Sequence, residues 1–356
     1  MPVSSVDTFL ACSLMLILIV SAMAGMTKIL QPYISHLANG EEGLWHRRLC
    51  EYLLLSSGTP QNWGEIKESN PSTLGLASLT QKPYELNPDK ISRLNSENIY
   101  SLTYQEILKA FGTSDFSLNI KVHPLFEVSI NLTASHIEGA TTTYTFRMTT
   151  AKSGYTLATA LKCYITLETY ISTISTTTDQ NGTGYVNVTL PNSLSGPALL
   201  VTFAKAETYS QVMSFNAYTF SHNNPDTPEP NKTFLQLSPI EQTLTASLQK
   251  PNLTVQNAYV FTYNYQFDLP QITSENQTLE YRIPKLLEAS PVIFVLNGNN
   301  ASNAFTEWCT YPQVPLEIGA DFNDLTSKSN TIAQPYIVSI NSIFYESIIT
   351  LRRATS

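Results

Sequence analysis

Histidines are the residues best suited to hold a metal or carry a proton, and the chain has five, at His36, His46, His123, His136 and His222. None stands at a ligand spacing from another, and no His-Glu-x-x-His occurs. The loop Asp179–Gly184 begins like a calcium loop, with oxygen-bearing side chains at its first, third and fifth positions and glycine at the sixth. Its twelfth position is Leu190, where a bidentate glutamate is needed. Asp321, Asn323 and Asp324 make a second oxygen-rich loop without further ligands. There is no Gly-x-Ser-x-Gly elbow, no phosphate-cradling glycine loop, and no cysteine or serine in a recognisable catalytic context. The expectation is a chain with no catalytic residue, no metal and no cofactor.

Two further patterns concern contact rather than catalysis. A strand through 253–269 would put Tyr259, Phe261, Tyr263, Tyr265 and Phe267 on a single face. The expected role is the core side of a sandwich sheet; an exposed platform for a glycan or another subunit is the rival. Of four cysteines, Cys12 lies in an apolar run, which leaves Cys50, Cys163 and Cys309. A Cys163–Cys309 bridge is the candidate pairing, and buried free thiols are the equal alternative.

The elements that would carry these residues follow from hydropathy. Phe9–Met26, FLACSLMLILIVSAMAGM, is uncharged and long enough to cross a bilayer as a helix. No Lys or Arg precedes it, so a retained anchor is expected in preference to a cleaved signal, with a short basic leader missing from the assigned start. Lys28, Arg47 and Arg48, all after the run, would favour the cytoplasmic side for the bulk of the chain. Low charge, β-rich character and seven Asn-x-Ser/Thr sequons argue for the outside. The sequons stand at Asn131, Asn181, Asn187, Asn231, Asn252, Asn276 and Asn300. The outside is therefore the expected side, with the chain a single-pass cell-membrane protein.

Charged residues make up 13% of the chain, against about 25% in an average soluble protein. A net charge of −8 without clustered Lys and Arg argues against a nucleic-acid partner. Residues 37–120 are expected to form a small helical region, with helices near 44–56, 87–95 and 102–111; Asn87-Pro88 supplies a cap with proline at the first turn. From about Ser117 the period changes to two. FEVSINLTA, TTTYTFRMTT, GYTLATALKCYITL, GYVNVTL, ALLVTFAKA and VMSFNAYTF then predict a β-sandwich over 121–222, with Asn181-Gly182 as a hairpin turn. A proline-rich stretch marks a linker at 223–233, and a second sandwich-like domain is expected over 234–356. The fold class is thus mainly β, with a transmembrane helix over 1–36, a helical membrane-proximal region and two sandwiches.

The first 120 residues resemble archaeal exported proteins with a pilin-like hydrophobic N-terminal helix. The resemblance is carried by SSVDTFLACSLMLILIVSAMAG, LLLSSGTPQNWG and the series LGLAS, YELNPDKISRLN and YQEILKAFGTSDFSLNI. Residues 124–222 are similar to immunoglobulin-like and prealbumin-like sandwiches of surface adhesins. The resemblance implies a cell-surface, pseudopilin or surface-layer-associated role with no enzymatic residues. Adhesion or surface assembly is the leading expectation, a filament subunit and a glycan-binding or hydrolytic surface protein its alternatives. The expected partners are membrane lipid, a surface protein or glycan, and a second copy of the chain.

Overall fold

The computed structural model describes residues 43–80, 82–113, 115–224, 231–285, 288–301, 303–322 and 331–353. The apolar run 9–26 lies outside them. Among the described residues no helix is long and apolar enough to cross a membrane. The chain divides into two compact units between Glu51 and Tyr52. In the first, the described residues begin a helix, α1, over 43–55, in which Arg47 and Glu51 pair at 2.9 Å across one turn.

The second unit opens with a segment built around buried polar anchors. Trp63 is fully buried and donates its indole N–H to the Gly75 carbonyl at 3.0 Å. Gly75 permits this approach because a Cβ there would lie 2.4 Å from the Gly58 nitrogen. Helix α2, Pro88–Leu94, starts as the Asn87-Pro88 pattern predicts, with the Asn87 side chain accepting from the Asp89 and Lys90 amides. Helix α3, Tyr104–Phe111, carries a Thr103/Glu106 capping box and ends at Gly112 in the left-handed region. Strand β1, Phe116–Pro124, follows, burying Leu118, Ile120 and Val122 at period two.

Eight strands come next: β2 (Glu127–Glu138), β3 (Thr141–Lys152), β4 (Tyr155–Thr156), β5 (Thr159–Leu167), β6 (Tyr170–Thr177), β7 (Thr183–Pro191), β8 (Gly196–Ala206) and β9 (Met213–His222). One sheet has β2-β3-β7, with β4 against the end of β3; the other has the order β6-β5-β8-β9. They enclose one core, in which Tyr144, Phe146 and Phe220 meet at ring distances of 4.9 and 5.1 Å. The Asn181-Gly182 turn is not a hairpin. It carries the chain from β6 to β7, which pair with β5 and β3 in opposite sheets. Gly182 packs on strand β3, where a Cβ would lie 2.3 Å from the Thr150 oxygen, and the Asp179 carboxylate accepts from the Thr183 amide at 2.8 Å.

The next eight strands are β10 (Leu235–Ile240), β11 (Thr243–Leu248), β12 (Leu253–Phe261), β13 (Gln266–Asp268), β14 (Gln271–Glu275), β15 (Thr278–Arg282), β16 (Val292–Asn300) and β17 (Asn303–Tyr311). Their sheets are β10-β11-β15-β14 and β13-β12-β16-β17, around a second core. Strand for strand this repeats the first sandwich: β10-β11-β15 stands where β2-β3-β7 does, and β13-β12-β16-β17 where β6-β5-β8-β9 does. The second adds β14 at its edge.

The two sandwiches meet through the outer faces of their four-stranded sheets. Leu161, Cys163 and Ile165 face the first core, so Tyr164 between them faces outward; it is nonetheless buried and stacks on Phe261 at 4.9 Å. Leu199, Val201, Ile293 and Val295 are likewise fully buried on the faces turned away from the two cores. Burial on both faces accounts for the unbroken apolar runs in ALLVTFAKA and VIFVL. Polar bonds fasten the rim: Asn297 donates to the Thr166 hydroxyl and to the Glu168 carbonyl, both at 2.9 Å.

The last strands leave the second sandwich. β18 (Leu316–Gly319), β19 (Thr331–Ile340) and β20 (Ile343–Arg353) join β1 in a separate sheet of order β18-β1-β20-β19. Leu86 donates to the Ser339 carbonyl at 2.8 Å, and Ser339 donates to that of Tyr84 at 2.9 Å. The expected domain limits at 120 and 234–356 are therefore corrected. The helical segment, β1 and β18–β20 form one base, and both sandwiches are inserted between β1 and β18.

Candidate ligand cleft

A cleft of about 650 Å³ opens where the base and the two sandwiches converge. That volume is in the range of small-ligand sites. The base contributes Asn95, Glu97, His123 and Glu317; the first sandwich contributes Glu127, Ser129 and Ser214; the second contributes Asn231, Lys232 and Trp308. Gln313 holds the elements in place. Its side-chain oxygen accepts from Asn98 at 2.6 Å, its carbonyl from Asn95 at 3.1 Å, and its amide group donates to Leu237 at 3.3 Å.

Most charges at the rim are paired. Glu97 pairs with Lys232, and Glu317 with Lys121 at 2.5 Å. Glu127 is exposed and forms no ion pair among the described residues. Burial, and then the neighbouring Lys121 charge, push the His123 imidazole below its usual range, against the pull of Glu317, Glu346 and Glu127. It is neutral near pH 7 and offers one N–H and one lone pair.

On the side of the second sandwich the backbone at the cleft is already occupied. Strand β17 is the edge of its sheet, and Asn231 covers it: its side-chain oxygen accepts from the Trp308 amide and its NH2 donates to the Trp308 carbonyl, both at 2.9 Å. The Glu307 carboxylate caps the adjoining chain by accepting from the Phe234 and Leu235 amides at 2.7 and 2.9 Å.

The residues singled out from sequence are not gathered here, apart from His123, Asn231 and Cys309. Cys163 and Cys309 are not bridged. Each is a free buried thiol in a different sandwich core, and burial pushes both thiols up, which leaves them poor nucleophiles. Cys50 is also free and buried. The aromatic row is split by a turn. β12 ends at Phe261 and β13 starts at Gln266, so Tyr259 and Phe261 are buried at the junction between sandwiches, facing neither solvent nor their own core. Tyr263 lies under the Lys205 ammonium at 4.1 Å, and Tyr265 and Phe267 are exposed and stack on each other. His222 is buried between Tyr144 and the Pro191 carbonyl, and His136 is exposed on β2. Among the described residues no group of three or more His, Cys, Asp or Glu is placed to hold a metal. His36, Asn323 and Asp324 lie outside the described residues.

Of the sequons, Asn131, Asn181, Asn187, Asn252 and Asn276 are exposed, Asn231 and Asn300 partly so. Asn231 differs in kind. An N-linked sugar takes the amide position beside the oxygen, from which Asn231 donates to Trp308. Glycopeptide mass spectrometry is therefore expected to find Asn231 unoccupied even where exposed sites are filled, and high occupancy there would contradict the geometry.

No family model matches the chain, and no curated protein does. Among solved structures, a similarity is found to human GIVD cytosolic phospholipase A2 at 8% identity and a TM-score of 0.16. It covers 68% of this chain, which spans about a third of that protein (33%).

Proposed function

We propose that this protein is a non-enzymatic, membrane-anchored cell-surface protein acting in adhesion or surface assembly. The observation that carries the reading is the inserted pair of like-ordered sandwiches. The chain leaves the base through β1 and returns to it through β18, so both sandwiches are held from one platform. The strand order β2-β3-β7 against β6-β5-β8-β9, repeated in the second unit, supports two immunoglobulin-like domains, an architecture common in cell-surface proteins. Five exposed sequons support display outside the cell. The run 9–26 supplies the anchor in this reading, through contact with membrane lipid.

The test is labelling of intact cells with a membrane-impermeant amine reagent, with mass spectrometry of the mature N-terminus. Modification of Lys152 and Lys162 with retention of residues 9–26 is the expected result. Labelling only after lysis would reject the topology.

A filament or homo-oligomer reading is favoured by one observation. Residues 131–138 of edge strand β2 are exposed, including Leu132 and Ile137, the latter at 70%. A long free edge is a template for pairing with another chain. Loss of assemblies on Ile137→Lys, seen by electron microscopy, would support it.

A further inference from the structure

We infer that the cleft between the base and the two sandwiches is a carbohydrate-binding site, taking a short neutral oligosaccharide. The inference goes beyond the surface role and stands on side-chain chemistry whichever way the membrane question falls.

Three features select the ligand class. The hydrogen-bonding groups at the opening donate and accept at once: the hydroxyl of the exposed Ser129 and the two nitrogens of the half-buried His123. Sugar hydroxyls have the same double character. The lining also sets this polarity beside the half-buried Trp308 ring, whose apolar surface suits the C–H face of a pyranose. Finally, the charge is nearly balanced. Glu97 and Glu317 are neutralised by Lys232 and Lys121, and Glu127 remains as a lone acceptor. An anionic ligand would face that carboxylate with no free cation among the described lining residues to offset it.

An extended peptide fits less well. A peptide adding to a sheet edge needs unpaired backbone N–H and C=O groups. At Trp308 both are taken by Asn231, and the neighbouring Phe234 and Leu235 amides are taken by Glu307. On the side of the second sandwich the cleft therefore presents side chains, and a ligand there is recognised through them.

The three tryptophans make the site observable. Trp63 is buried in the base outside the cleft and Trp45 lies on α1, so in a Trp45→Phe protein a ligand-induced change in emission reports on Trp308 over a constant Trp63 background. The experiment uses the purified full-length chain with maltotriose, mannotriose, cellotriose and chitotriose at millimolar concentration. Saturation-transfer NMR and tryptophan fluorescence are the readouts. At least one sugar is expected to bind and to perturb the Trp45→Phe protein. Glu127→Gln, which removes a charged acceptor from an exposed position, is expected to weaken that binding about tenfold or more without changing the circular dichroism spectrum. Absence of binding by all four sugars would overturn the inference. So would sugar binding untouched by Glu127→Gln, or saturable binding of octalysine in their place. None of these results bears on the cell-labelling experiment, so the two readings fail separately.

Discussion

An Arg93→Met protein is expected to lose about 3 kcal/mol or more of unfolding free energy. Arg93 is 2% exposed on α2, and its guanidinium donates to four backbone carbonyls: Trp63 at 2.5 Å, Ile66 and Ser69 at 2.8 Å, and Tyr100 at 3.0 Å. Replacing a buried ion by an apolar group can be neutral when its partner is replaced too. Here the partners are main-chain oxygens, which no substitution removes, and the Trp63 carbonyl would be buried without a donor. Arg93→Lys should recover little, because one ammonium cannot span acceptors arranged around a planar fork. Urea titration followed by far-UV circular dichroism measures both, with Lys109→Met as a surface control. A loss below about 1 kcal/mol in Arg93→Met would show that the segment 63–69 is held by other contacts.

The second large effect is a pH dependence set by Asp89. Its carboxyl is buried, accepting from the Tyr311 hydroxyl at 2.9 Å and the Glu241 amide at 3.1 Å. Burial raises its pKa from the usual 3.8 to about 6, outweighing the lowering by those two donors. Between these values the folded chain binds the proton that the unfolded chain has released. Stability from this group is therefore full below about pH 4, falls as pH rises to about 6, and stays lower above it. The difference amounts to roughly 3 kcal/mol. Asp89→Asn keeps the acceptor and removes the charge, so it should flatten the profile between about pH 4 and 6 and raise stability at about pH 7. An unchanged slope in Asp89→Asn would assign the titration to another group. Lys90, fully buried beside it, acts in the opposite range. Burial lowers its pKa to about 8, so its contribution improves as pH rises from about 8 towards the usual lysine value.

These two residues show how the base is built. α2 buries charges beside its apolar Ile91 and Leu94: Lys90 donates to the Ser57 and Ala77 carbonyls at 2.8 Å, and Arg93 gathers the loop at 63–69. A sequence scan that expects charge outside and leucine inside reads PDKISRL as a surface helix. The Asn87-Pro88 cap places the helix, and nothing local in PDKISRL marks its charges as buried.

Local chemistry made much of the chain legible. The Asn87-Pro88 cap, the three helices and the six alternating or apolar segments of 121–222 each depend on neighbours within a few residues, and strands lie in all six, although GYTLATALKCYITL divides into β4 and β5 of opposite sheets. Strand β6 escaped because it is an edge whose YISTISTT packs on one side only. The aromatic row was misread for a related reason. Period two holds through 259–267 whether the strand continues or turns back, and the turn at 262–265 is closed by the Thr262 hydroxyl and Glu288 rather than by glycine or proline.

What the amino-acid sequence determined by itself is the β-rich class, the apolar run at the N-terminus, and the position of the helices and of most strands in 121–222, because period, capping and turn chemistry act over short distances. Tertiary structure alone decided the partnerships. It set β1 beside β20 across more than 200 residues, gave two dissimilar sequences one strand order, and separated Cys163 from Cys309 into different cores. It also assembled the cleft, whose lining comes from positions 95 to 317. Pairing between distant strands is selected by which buried faces fit together, and no short stretch of sequence carries that information.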